Sequence, residues 1–366
     1  NATSQNPSSM KPFLTLLLES YRGLRSETIF WVTVGLSVVV ATLFLSIGFN
    51  EKEISFLFGA TNIESDFSGS GTRLVQEVVY IMIFTNLIAG GWLTFIAIIL
   101  ALISCASIFP DAMKEGPAGM LMTKVPSRFQ VFLAKLTGSL FFVFIQVGLF
   151  VVIVFVAFRW RIGVWNFSVF WYVPAVLLVF LNLYSFMVLL GVMTRSVMTS
   201  IMLTMLVWGI SAGIDWVISY QEAAYQASQS FEFGEPTISE GAASEVGTPT
   251  EEGMREEGKL KRSKMNESEG DRQILSRIET LRIIHSFFPK NSPIMASAEK
   301  KLVLDGVLAS AGGGAVLKDL KNEGEFEDAM NKLTPNDSIF YSIGTSCIFS
   351  FVMLSIAGWF FCRKDL

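Results

Sequence analysis

Residues capable of covalent or metal chemistry are scarce in this chain. No G-x-x-x-x-G-K-[ST] phosphate loop occurs, and the nearest Gly clusters, SGSGTR at 68–73 and AGGGA at 311–315, lack the Lys that would reach a nucleotide's phosphates. The chain is therefore not expected to hydrolyse ATP itself. His285 is the single histidine and has no Cys or carboxylate at metal-ligand spacing, which suits a packing or surface role better than a ligand. No hydrolase elbow or zinc motif is present either, so neither an enzyme nor a resident cofactor or metal is expected. What remains is a handful of polar side chains inside long apolar stretches. Asp215 suits a solvated, capping or pathway role, and Lys135 and Arg159 are placed to snorkel to an interface. Asn86, Gln146 and Asn182 are neutral amides of the kind that bond neighbouring helices.

The elements that must position these groups follow from composition. Of 366 residues, 51% are hydrophobic and only 16% charged, and the mean hydropathy is +0.50, so lipid must be part of the solvent. A hydrocarbon core of about 30 Å needs about 20 apolar residues in a helix. Windows of that kind lie at 28–49, 78–109, 131–158, 168–193, 197–219 and 338–361, which predicts six transmembrane helices. Lipid offers no hydrogen-bond partners, so each window must satisfy its own backbone, and the fold class is an all-α integral membrane protein. A net charge of -4 without a basic stripe speaks against nucleic acid. Cys105, Cys347 and Cys362 lie in or beside predicted spans and give no disulfide framework.

Orientation follows from Lys and Arg in the short connections. One alternating set holds Lys11, Arg22, Arg25, Lys114, Lys124, Arg128, Arg195, Arg363 and Lys364, and the other only Lys52, Arg73, Arg159 and Arg161. Both termini are thus expected in the cytoplasm. Residues 1–27 read as a polar leader, not a cleavable signal, followed by an amphipathic helix at the membrane interface carrying Phe13, Leu16, Leu17 and Leu24 on one face. A membrane part at 28–219 follows. The connection 220–337 then faces away from the cytoplasm: 228–270, rich in Ser, Gly, Glu and Lys, is expected to be flexible, and 271–333 to be a small helical insertion, with Pro289 ending its first helix. The sixth span and a cytoplasmic tail occupy 338–366. N-x-[ST] triplets at Asn166, Asn266 and Asn336 are too common to imply glycosylation.

The most informative stretch is the cytoplasmic connection at 110–130, within FPDAMKEGPAGMLMTKVPSRFQVFLAKLTGSL. Pro110 is expected to end one span, a short segment with Asp111, Lys114 and Glu115 follows, and Pro126 breaks it before Arg128 and Lys135 lead into the next. Glu115 and Gly116, Leu121, Pro126 to Arg128 and Lys135 resemble the corresponding loop of the type-2 permeases of ATP-binding-cassette (ABC) exporters. The likeness extends over about 240 residues: a lead-in helix, six spans, the short connection TRSVMTS, a long loop before the last span and the ending FFCRKDL. Pro117 departs from it, where the family continues its helix.

That resemblance implies a permease that binds two separate ATPase subunits holding ATP and Mg, and pairs with a second permease chain, the same or a relative. It implies ATPase coupling through Lys114, Glu115, Met120, Arg128 and Arg195. It further implies a translocation path at the dimer interface lined by Thr85, Asn86, Met205, Trp208 and Asp215, in the plasma membrane, as in a bacterial inner membrane. A path poor in fixed charge suits amphiphilic cargo. A competing class is a membrane scaffold that presents the 220–337 insertion to an extracytoplasmic partner without transporting anything.

Overall fold

The computed structural model describes residues 28–49, 53–64, 80–113, 128–161, 163, 165–232, 276–283, 291–310 and 339–363. In chain order its helices are α1 (Thr28–Ser46), α2 (Tyr80–Ala112), α3 (Arg128–Arg161), α4 (Tyr172–Thr194), α5 (Val197–Glu232), α6 (276–283), α7 (Asn291–Ser310) and α8 (Ile339–Arg363). A 3₁₀ turn, Phe167–Trp171, leads into α4. Among the described residues, five segments are long and apolar enough to cross a membrane: α2, α3, Phe167–Thr194, Val197–Gln221 of α5 and Ser342–Arg363 of α8. The first helix is apolar but shorter. At 1.5 Å per residue the 34 residues of α3 extend about 50 Å, so that helix must tilt or project beyond a hydrocarbon core of about 30 Å.

Several boundaries differ from those the sequence suggests. Pro110 does not end the second span. A turn at 106–107 interrupts α2, a new short helix starts at Ile108, and Pro110 sits in its first turn, where a missing N–H costs nothing. The fifth helix runs 13 residues past the apolar window, to Glu232, because good helix formers such as Gln221, Glu222 and Ala223 can continue a helix beyond its apolar stretch. Over Phe84–Ala97, α2 is wound as a π-helix, and the Thr94 hydroxyl accordingly donates to Ala89 O, five residues back, at 2.7 Å.

Where only a short connection was expected after the first span, the chain forms a three-stranded antiparallel ribbon: β1 (Gly48–Phe49), β2 (Glu53–Phe56) and β3 (Thr61–Glu64), in the order β1-β2-β3. Gly48 stands opposite Ser55, and Ile54 opposite Ile63. A tight turn at Leu57, Phe58 and Gly59 places all three in the left-handed region, at φ of 52°, 58° and 95°. The ribbon is fastened to the end of α3. Arg161 Nε donates to Leu45 O at 2.7 Å, and its guanidinium lies 5.5 Å from the centre of the Phe58 ring. Gly48 allows this approach, since a Cβ there would stand 2.7 Å from Ser55 Oγ and 3.0 Å from Arg161 Nη1.

The chain divides into two compact units, one of residues 1–206 with 289–366 and one of residues 207–288. In the first, α4 is central and packs on α8, α3, α7 and the two parts of α2 after the π-helix, while α1 lies along α3. Val179, Phe180, Leu183 and Tyr184 of α4 are fully buried, whereas Trp31, Val152 and Phe351 on outer helices are exposed, as expected where lipid covers the outside. Lipid tails are as apolar as Leu, so apolar burial does not select the helix packing; close approach and polar contacts do. Gly191 of α4 lets Pro110 within 3.4 Å of the space a Cβ would occupy. Ser139 of α3 and Tyr184 of α4 share a buried hydrogen bond of 2.7 Å. In the second unit, Trp216 and Tyr220 of α5 stack at 5.9 Å, and Ile278 of α6 is buried.

Candidate functional site

Three levels of the first unit carry polar or charged contacts that tie helices together. At the level where α2 ends and α3 begins, the rings of Phe109, Phe132, Tyr184 and Phe361 form one cluster with centroids 5.2–6.3 Å apart. Met113 is buried here, and Arg128 Nη1 donates to Cys362 O of α8 at 3.4 Å. Arg195 caps α4 in the left-handed conformation, its N–H on Gly191 O at 3.0 Å, with its side chain exposed. The two ends of the 114–127 connection are therefore held on a rigid aromatic floor. Lys114, Glu115 and Met120 lie outside the described residues, as do His285, Pro126 and the lead-in helix.

Midway along α4 is a node of three helices. Asn182, with no exposed surface, donates from Nδ2 to Asn291 Oδ1 of α7 at 3.2 Å, and its Oδ1 accepts from Ser350 Oγ of α8 at 2.5 Å. Ser342 and Ser346 continue the Ser350 face of α8 at four-residue spacing, and both are buried. Asn291 begins α7, so the helix of the insertion starts about 10 residues deep along α4 and runs back along it, where Asn166 Nδ2 donates to Leu302 O at 3.3 Å. The helix α7, within the stretch expected to be a small helical insertion, belongs to the same compact unit as the spans.

At the third level, Phe84 meets Tyr172 edge-on at 5.2 Å, within an aromatic cluster that includes Phe44, Tyr80 and Phe158. The Glu299 side chain of α7 reaches this place. Its half-buried carboxyl is raised above the ordinary carboxylate range by loss of water, opposed by hydrogen bonding to the Thr85 hydroxyl. It also acts electrostatically on Tyr172, whose buried hydroxyl has no hydrogen-bond partner among the described residues.

Of the residues expected to line a path, Thr85, Asn86 and Met205 belong to the first unit and Trp208 and Asp215 to the second. Thr85 is buried and faces Glu299, while its neighbour Asn86 is exposed and uses Nδ2 on Met82 O at 3.0 Å. Met205, in the first unit, is half-buried. Trp208 and Asp215 belong to the second unit, the first buried and the second half-buried. Asp215 lies in the interior of α5, 17 residues before its end, so a capping role is ruled out. Sequence reasoning missed Glu299, Asn291 and Ser350. A signal existed for the last: S-x-x-x-S-x-x-x-S at 342–350 puts three hydroxyls on one helical face. Glu299 stands in the charged stretch AEKK, which carries no local sign of burial.

A bundle of apolar helices joined by internal amides and hydroxyls defines a polytopic membrane protein. Residues 30–211 match the family model of the ABC-2 type transporters, and through that membrane domain the chain belongs to the ABC-2 transporter permeases. Neither the curated proteins nor the solved structures gave a significant match.

Proposed function

We propose that this chain is the membrane half of an ATP-driven exporter, acting as a dimer with two separate ATPase subunits that bind the 114–127 connection and Arg195. The observation that carries this reading is the family match over 30–211, which includes that connection. No phosphate loop occurs in these 366 residues, so in this reading ATP is hydrolysed by the separate subunits. ATP-driven closure of the ATPase pair would move the connection as a lever and rock the packed spans between two arrangements. Rigid ends, such as the Phe109–Phe132–Phe361 cluster and the Arg128 tie to α8, suit a lever because they transmit displacement instead of absorbing it.

In this reading α1 is a sixth crossing, its 19 residues spanning about 28 Å, and both termini are in the cytoplasm of a cell whose plasma membrane holds the protein. The second permease chain covers exposed faces of α2 and α5. Met198, Met202 and Leu206 form an exposed apolar row at four-residue spacing on α5, and Asn86 presents an amide on the outside of α2, a costly group to leave in lipid. Cargo then passes near Thr85, Asn86, Met205, Trp208 and Asp215. Purification with natural partners tests the scheme: an ATPase subunit should accompany the chain, and charge reversal at Lys114 and Glu115 should abolish cargo-stimulated ATP hydrolysis. If no ATPase accompanies it, or the reversed variant keeps full stimulation, the scheme fails.

A further inference from the structure

We propose that Glu299, Thr85 and Tyr172 form a binding site for the positively charged headgroup of an amphiphile, an organic ammonium, at the end of the bundle that carries the insertion. The inference rests on the permease reading for its biological meaning, and it names the substrate class. Three observations carry it.

The first is an uncompensated charge. Glu299 is a half-buried carboxylate packed against apolar helices, and the groups acting on it among the described residues are the Thr85 hydroxyl and its own loss of water. Among the described residues, no Lys or Arg is among the groups that act on it. Lys301, two residues further along α7, holds its ammonium 4.2 Å from the centre of the Trp171 ring. A carboxylate moved out of water without a partner is costly unless it is protonated or meets a cation.

The second is a spare donor and acceptor facing the same place. The Tyr172 hydroxyl is buried to about 1% exposure, within electrostatic reach of Glu299, and makes no hydrogen bond among the described residues. Buried hydroxyls are rarely left so. Thr85 adds an adjustable partner: its single proton is directed to Met82 O at 3.2 Å, and it can turn instead to an ionised Glu299.

The third is the wall. Phe84 and Tyr172 meet edge-on at 5.2 Å, backed by Tyr80 and Phe158, and Glu299 acts electrostatically on Tyr172. One carboxylate with two hydroxyls among rings is a poor cage for a metal ion, which needs several oxygen ligands, and the described residues hold no group of three or more His, Cys, Asp or Glu suited to one. The same set suits an alkylammonium, which pairs with the carboxylate and rests against ring faces.

The test uses the full chain in phosphatidylcholine nanodiscs and two probes with the same tail: dodecyltrimethylammonium and dodecyl maltoside. Wild-type protein should bind the ammonium about tenfold more tightly than the neutral probe. Glu299→Gln should erase that gap, Glu299→Asp should keep part of it, Tyr172→Phe should narrow it, and none should alter the neutral probe. Equal affinity of the wild type for both probes overturns the proposal, as does a gap that survives Glu299→Gln. Because the wild-type comparison decides by itself, poor folding of a variant does not shelter the idea. Co-purification of an ATPase is scored separately: its absence sinks the permease reading while leaving headgroup recognition standing, and its presence with no probe preference sinks the headgroup site alone.

Discussion

Replacing Asn182 by Leu should release α7 from the bundle while leaving the spans in place. Asn182 has no exposed surface and makes the two side-chain bonds that join α4 to α7 and α8. Interhelical hydrogen bonds within membranes contribute about 0.6 kcal/mol on average and up to about 1.7 kcal/mol each, so losing two costs about 1–3 kcal/mol. Part of this comes from the groups left behind, since Asn291 Nδ2 already lacks a partner among the described residues and its carbonyl would then lack one too. A shift of about 1–3 kcal/mol changes an opening equilibrium about 5- to 150-fold.

Labelling reads that change directly. With Cys105, Cys347 and Cys362 replaced by Ala, a cysteine at Ala298, which is 4% exposed, should react slowly with a membrane-impermeant maleimide. Asn182→Leu should speed the reaction by the factor above. The double variant Asn182→Leu/Asn291→Leu should restore part of the protection, because it removes the Asn291 amide that the single variant leaves unpaired. A rate within twofold of the parent in Asn182→Leu, or strictly additive effects in the double variant, would refute the view that this node holds the insertion helix.

Two further outcomes follow from the geometry. Gly48→Val places a branched side chain where a Cβ already meets Ser55 Oγ at 2.7 Å and Arg161 Nη1 at 3.0 Å; it should lower stability by about 1–3 kcal/mol in thermal unfolding of the reconstituted chain, whereas Gly35→Val, with nothing within 4 Å of its added Cβ, should change it little. Glu299 is raised in the folded state, so its protonated form favours folding: the contribution is fully present below the unfolded value near 4.5 and is lost as pH rises through the folded value. Melting temperature should fall across that window in the wild type and fall less in Glu299→Gln, and identical pH profiles for the two would contradict the assignment.

Length and hydropathy alone announce the membrane class, because a window of about 20 apolar residues has only one stable form in lipid, and the windows at 131–158 and 168–193 fall within three residues of helix ends at Arg128–Arg161 and Phe167–Thr194. The 110–130 stretch likewise carries the family likeness in its residue order. Contact between distant residues carries no such local signal. Asn182 and Asn291 are 109 positions apart and Asn182 and Ser350 are 168 apart, and their meeting depends on how far α7 reaches along α4. The same holds for Glu299, whose neighbours in sequence are charged and whose neighbours in space are Thr85 and Tyr172. Periodicity fixes which face of a helix is apolar, but packing alone decides which polar groups share that face with another helix, since lipid rewards neither pairing until the hydrogen bonds are formed.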